Sequence, residues 1–278
     1  MSTITLPSGL VGEVRGLSGK DGRYLTNEQL VRDNEVEDYI FSNCWNATID
    51  DGPYKFEGRP PDWSKVLVGD RFFALIAVRE ATYPGKEYVI KLQCARLGCK
   101  RRFEWEIDLR ELLAKKTKTL SAEDRATFQE SNRFKATVPF TEKSFVFQLN
   151  TGAIARRTQA LLEAKKTGNK KMQQRQNTLC DILSGLILEV DGVALKRDAI
   201  FDFLEELPMA SIDALLPLVQ SHDCGVETDI EVECPFCGGG MVITLPFDRA
   251  FFLPYSSEAK RAAASSAKEE EDVATAAR

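Results

Sequence analysis

The chain has 278 residues, 43% of them hydrophobic, with 37 Lys and Arg against 42 Asp and Glu and a formal net charge of −5. That composition supports a real hydrophobic core in one large domain or two ordinary ones, and it excludes wholesale disorder and collagen-like repeats. The longest apolar run, Phe72 to Val78, is seven residues, far short of the roughly 18 to 20 that cross a bilayer.

The acidic balance also argues against a general nucleic-acid binder, which carries net positive charge or one strongly basic face. The N-terminal MSTITLPSGLVG has neither the basic nor the apolar region of a secretory signal. A reducing cytoplasm is therefore expected, and the seven cysteines need an explanation other than disulfides.

Residues 1–20 carry Pro7, Gly9, Gly12, Gly16 and Gly19 among few bulky apolar groups, and read as an extended arm. Such an arm, with Leu6, Leu10, Val11 and Val14 free, is expected to order on a partner by sheet-edge addition or burial. A helix is predicted between Leu25 and Trp45, with Thr26 as N-cap, Gln29 three residues on, and apolar spacing at Leu30, Tyr39, Ile40 and Cys44. After the Pro/Gly-rich DGPYKFEGRPPDW, the apolar VLVGDRFFALIAVREATYP suits a buried helix or strand, and a helix from Asp70 is the expectation.

From Lys86 the period changes to two. Tyr88, Ile90 and Leu92, and beyond Cys99 Phe103, Trp105, Ile107 and Leu109, alternate with polar or charged residues, which predicts a β-hairpin near 86–110. RFKATVPF and KSFVFQLN read as a strand pair. Helices are expected near 153–167, 170–188, 197–206 and 211–221, a helical region over 153–222 broken by LEVDGV and by Pro208. A second hairpin near 228–247 pairs DIEVE with MVITLPF. Residues 256–278 are rich in Ala, Ser, Glu and Lys, have almost nothing to bury, and read as a mobile tail. Between arm and tail, residues 21–255 read as a single α+β domain.

Two cysteine pairs stand out, Cys94 and Cys99 in CARLGC and Cys234 and Cys237 in CPFCG, each at the tip of a predicted hairpin. Four thiolates on two such knuckles make a tetrahedral zinc site, closed and therefore structural. Gly98 and Gly238 are expected to supply the positive φ that knuckles need. Metal-free knuckles, or a redox pair in CPFC, are the alternatives. Cys44 and Cys180 sit at helical spacing among apolar residues and read as core fillers. Cys224 is an alternative ligand at the base of the hairpin, and His222, the only histidine, reads as a helix C-cap.

With one histidine there is no convincing nucleophilic triad. Neither GxSxG nor a phosphate-cradling P-loop occurs, so no enzyme is expected. Lys100, Arg101 and Arg102 beside Phe103 and Trp105 are what a nucleic-acid-binding zinc ribbon shows, but alternation turns those aromatics inward.

The order of motifs resembles the baseplate proteins of T-even-like contractile-tail bacteriophages, a group of hub and wedge components and hub-assembly factors. The residues that carry the likeness are LPSGL at 6–10, VGDRFFALIAVREATYPGKEY at 68–88, Cys94 and Cys99 leading into EIDL at 106–109, VPF at 138–140 with the later FQLNTG, the TLCDILSGLILEVDGV stretch, and CPFCGGGMVITLP with FFLP at 251–254. Their collinear order spans about 250 residues, most of the chain. It departs from the family pattern at Ala153-Ile154-Ala155, where an acidic pair is usual, and in CARLGC, where CPxC is usual.

The resemblance implies a structural component or assembly factor of the virion's tail baseplate, assembled in the host cytoplasm. Its partners would be other phage tail proteins, without membrane, nucleic acid or small-molecule substrate. The expected fold is α+β, with two zinc-ribbon-like hairpins clipped together around a mainly helical segment. A zinc-ribbon nucleic-acid-binding protein and a hydrolase-type enzyme are the rival classes.

Overall fold

The computed structural model describes residues 2–25, 36–56, 61–167, 177–247 and 249–252. The proposed N-cap at Thr26 with Gln29 and Leu30, and the tail 256–278, lie outside these residues. The fold is α+β, as expected, with several small antiparallel sheets. Among the described residues no helix is long and apolar enough to cross a membrane.

The N-terminal segment is not a free arm. Strands β1 (Ser2–Thr5) and β2 (Val11–Val14) form a hairpin, and β2 also pairs with β3 (Trp45–Asp50) to complete a three-stranded sheet. The turn at 6–10 closes through Leu6 N–H donating to Leu10 carbonyl at 2.8 Å. Leu6, Leu10 and Val14 are all buried in the main core. Three of the four side chains that read as available to a partner are consumed by the chain's own fold, and Val11 is half-buried. Helices α1 (Gly19–Leu25) and α2 (Val36–Cys44) are bridged by Tyr39, which stacks on Tyr24 and donates from its hydroxyl to Asp21.

The expected buried helix is α3 (Val68–Thr82), which starts two residues before Asp70. Its apolar residues run without a break from 72 to 78, so it has no solvent face of normal width and lies central to the molecule. Even its polar members Asp70, Arg71 and Arg79 are buried. Its first turn meets the loop at 224–225 backbone to backbone: a Cβ on Gly69 would lie 1.8 Å from the Cys224 carbonyl oxygen, and Gly225 on the other side holds φ +145°. Only glycines permit that approach.

The first predicted hairpin is β4 (Tyr88–Gln93) with β5 (Arg102–Ile107). Helix α4 (Leu109–Lys116) follows, its N-terminus capped by the Asp108 carboxylate, which accepts from the Arg110 and Glu111 amides. Strand β6 (Thr117–Lys118) leads to α5 (Ala122–Glu130), capped by Ser121. The expected strand pair is β7 (Phe134–Thr137) with β8 (Ser144–Phe147).

The helices of the next region are α6 (Gly152–Thr167), α7 (Thr178–Leu186), α8 (Arg197–Glu205) and α9 (Met209–Ser221). LEVDGV is more than a break between them. Asp191 and Gly192, at φ +50° and +78°, turn β9 (Ile187–Val190) into β10 (Val193–Ala194), and β9 joins β8 to give a four-stranded sheet ordered β10-β9-β8-β7. Both central residues at positive φ, with Gly second, fit the type I′ hairpin turn that matches strand twist.

Strand β11 (Gly225–Val226) pairs with β6, the second predicted hairpin is β12 (Asp229–Glu233) with β13 (Gly240–Thr244), and the short α10 (Arg249–Phe252) closes the described chain. One core runs from Leu6 to Phe252, and a second, smaller cluster forms where the two predicted hairpins meet.

The buried N-terminal turn makes a prediction opposite to that of a docking arm. Leu10→Ala, at a fully buried position, should cost about 2 to 5 kcal/mol in chemical denaturation, and deletion of residues 2–20 should give protein that fails to fold. Wild-type stability of either variant would show the turn to be peripheral.

Candidate metal centre

The two hairpins place their tips against each other. The first knuckle forms as the Cys99 and Lys100 amides donate to the Arg96 carbonyl at 2.9 and 3.2 Å, the second as the Gly238 amide donates to the Cys234 carbonyl at 2.9 Å. Cys94 N–H donates to Arg101 carbonyl and Cys234 N–H to Gly239 carbonyl, at 2.9 and 3.0 Å, closing each hairpin just below its tip. Gly238 has φ +63°, as expected. Gly98 is not the left-handed residue of the other knuckle; Lys100 is, at φ +49°. In both knuckles the left-handed residue directly follows the second cysteine; CARLGC has its glycine before that cysteine, so the position falls to Lys100.

The four candidate sulfurs converge, all within 4.8 Å of one another. The close contacts cross between hairpins: Cys94 to Cys237 at 3.7 Å and Cys99 to Cys234 at 3.9 Å. All four are free thiols, and these separations are far longer than the roughly 2.05 Å of a disulfide. The cluster can hold a metal ion. Cys94 and Cys234 are buried with Phe103 and Val232, and Leu92, Trp105, Ile230, Met241 and Ile243 pack around them, so the thiols sit on a small apolar base made equally by both hairpins.

The thiols differ in acidity. A backbone hydrogen bond from Gly239 holds Cys237 down at about 7, whereas Cys94, in spite of a backbone bond at Arg96, is pushed up to about 11 by desolvation and the neighbouring thiols. Close thiols resist carrying several negative charges together, and a bound cation removes that repulsion.

The other cysteines stay out of the cluster. Cys44 and Cys180 are buried core residues. Cys224 points to Asp70, its Sγ 3.9 Å from the carboxylate, and burial pushes its thiol far up, so it is no alternative ligand. His222 is the C-cap of α9, as expected. Its Nδ1 lies 2.7 Å from Asp124 Oδ1, and its ring tilts between Phe134 and Phe147.

A second polar centre lies under α3. The Asp70 carboxylate, fully buried, accepts from the Ser8 amide at 2.9 Å, the Ser8 hydroxyl, and the Tyr54 hydroxyl at 2.7 Å. Burial raises its pKa, against the pull of these donors. The signal in the sequence was there: Asp70 and Arg71 interrupt an otherwise apolar stretch, and a buried acid needs donors. Nothing local named Ser8, 62 positions away, as one of them.

Compared with protein-family models, curated proteins and solved structures, the chain gives no match.

Asp223, beside this centre, is raised to about 6 by burial, and the nearby Asp70 adds to the shift while Lys118 opposes it. A carboxyl that binds its proton more tightly in the native than in the unfolded state, where it titrates near about 3.9, adds stability at low pH and loses it as pH rises through about 6. Asp223→Asn keeps an acceptor for the Cys224 amide, which donates to Asp223 Oδ1 at 2.8 Å. It should therefore gain on the order of 1 kcal/mol at pH 8, allowing for the residue's partial exposure, and nothing at pH 4. Equal effects at both pH values would contradict this assignment.

Proposed function

We propose that the chain is a zinc-stabilised, non-enzymatic component or assembly factor of a contractile phage tail baseplate, acting through protein–protein contacts in the virion. The collinear order of motifs over most of the chain carries the reading. What supports it further is where those motifs lie. LPSGL supplies Ser8 to Asp70 of VGDRFF. The Asn150 carbonyl of FQLNTG accepts from the Val68 amide at 2.9 Å. The Phe251 carbonyl of FFLP accepts from Arg79 at 2.5 Å. Segments spread from residue 6 to residue 251 thus meet on one helix, as expected if they belong to one shared architecture.

Cys94, Cys99, Cys234 and Cys237 would hold the zinc. A tetrahedral Zn²⁺ with Zn–S near 2.3 Å spaces its sulfurs about 3.8 Å apart, and the two cross-hairpin separations are 3.7 and 3.9 Å. With four thiolates no coordination position is left open, so the ion's role is to hold the hairpins together.

The rival reading, a nucleic-acid-binding zinc ribbon, draws on the exposed Lys100, Arg101 and Arg102. Against it, Phe103 is buried and Trp105 packs on the opposite hairpin, which leaves neither free to stack on a base.

Elemental analysis of protein purified without chelator should find one zinc per chain, and Cys234→Ser should lose it and melt at a clearly lower temperature, by several kcal/mol of stability. Substoichiometric zinc with wild-type melting in the variant would overturn the metal assignment. Mass spectrometry of purified virions and of assembly intermediates tests the larger claim: the chain should appear with baseplate proteins in one or both, and its absence from both would refute the baseplate reading.

A further inference from the structure

Each knuckle tip exposes a large apolar side chain: Leu97, inside CARLGC, is 86% exposed, and Phe236, inside CPFC, is 52% exposed. The two knuckles that carry them meet at the shared thiol cluster. Arg96 lies across the gap, its Cδ 3.6 Å from where a Cβ on Gly239 would sit and its Nη1 3.4 Å from the Cys237 carbonyl. The Arg101 guanidinium stands 5.0 Å over the Phe236 ring. Lys100 and Arg102 are exposed beside them.

Beneath these cations a zinc held by four thiolates would leave a net charge of about −2, so roughly half of their charge would be answered from below and the rest faces outward. Among the described residues no ion pair engages Arg96, Lys100, Arg101 or Arg102; the ion pair of this hairpin, Lys91 with Glu104, lies further down the strands. One carboxylate, Glu233, lies near Gly238 of the second knuckle. Lys100 adds a separate observation. It holds φ +49°, a conformation that strains a side-chain-bearing residue and that glycine adopts freely. A cation stands where glycine would be easier, on a chain whose net charge is −5.

We propose that the joined knuckle tips are a docking surface for an acidic protein segment carrying an aliphatic or aromatic anchor. Leu97 and Phe236 take the anchor, and the four cations take the flanking carboxylates. Charge complementarity selects the partner's sign, and the apolar pair selects protein over nucleic acid. Leu97 offers no π face, and one face of Phe236 is covered by Arg101, so the tip is a poor base-stacking platform, whereas a desolvated apolar centre ringed by charge is the usual form of a protein contact. The metal clip fixes both knuckles before the partner arrives, which lowers the ordering cost of binding. This names the partner chemistry of the function proposed above and rests on that reading for the clip and for a protein-binding role.

The test uses the full, metal-loaded chain. A random library of peptides about twelve residues long is selected on it and counter-selected on the Leu97→Ser/Phe236→Ser double variant, after metal content and melting confirm that this variant is folded. Enriched peptides should be acidic with at least one Leu, Ile, Phe or Trp. Their affinity should fall at least about tenfold in the double variant and in Arg101→Glu/Arg102→Glu, and it should weaken with added salt. The second variant keeps the test decisive if the first loses metal. No enrichment over the variants, enrichment of neutral or basic peptides, or tighter binding to a single-stranded DNA oligonucleotide than to any selected peptide would overturn the proposal. The two readings fail separately: absence from virions and assembly intermediates with peptide binding intact refutes the baseplate assignment alone, and presence there without peptide enrichment refutes the docking surface alone.

Discussion

The burial of α3 on every side is the constraint around which the molecule is organised. A helix with no solvent face must have its polar groups answered from within the protein, because an unpaired buried charge costs several kcal/mol. Asp70 is answered by Ser8 and Tyr54. Arg71 donates to the Trp63 carbonyl at 2.8 Å and to Glu37 at 2.7 Å, with its guanidinium over the Phe41 ring. Arg79 donates to the Phe251 carbonyl and lies within about 5 Å of the Tyr83, Tyr88 and Phe251 rings. Ser8, Glu37 and Phe251, 62, 34 and 172 positions from the residues they answer, draw the N-terminal turn, α2 and the C-terminal α10 onto one helix, while Tyr54 and Trp63 answer it from nearby in the sequence.

The paired hairpins follow a different logic. Strands β4, β5, β12 and β13 lie in two separate two-stranded sheets, and such pairs are marginal by themselves in water. Their shared cluster contains only four buried residues, two of them cysteines. Apolar burial of that size offers little against the entropy of joining segments about 140 residues apart. The thiol cluster supplies the missing attraction once an ion is bound, which is the usual remedy where a core is too small.

How much of this was readable in the sequence depended on how local its cause was. Period-two alternation is a local signal, and both hairpins lie where it put them. The thiol spacings are local too, and the four sulfurs do converge. The N-terminal turn was misread because its glycines suggested an arm, whereas Leu6, Leu10 and Val14 are buried only through pairing with β3 and packing on α3, neither visible from residues 1–20. The strand nature of LEV and Val193 failed for the same reason. Only pairing with β8 makes β9 part of a sheet; the expected helix over 170–188 runs through Ile187 and Leu188, which are strand residues in the structure. Gly98 differs for a local reason: both knuckles put the left-handed residue directly after the second cysteine, where CPFCG has its glycine and CARLGCK has Lys100.

The charged side chains of α3 are largely answered within the protein, although Arg79 Nε is a buried atom with no hydrogen-bond partner among the described residues, whereas the knuckle cations are left open. Under α3 the acid and two arginines have found partners at the cost of long-range closure. At the knuckles, where two tight turns stand on a base of a few side chains, no further layer among the described residues covers Leu97 and Phe236 or pairs with the cations around them. A metal ion bound by the four thiols would permit this arrangement, because it would fix the backbone without requiring that the outer side chains be buried. The proposed clip would thereby free the hairpin tips from packing duty, and side chains relieved of packing are available for contact with another molecule.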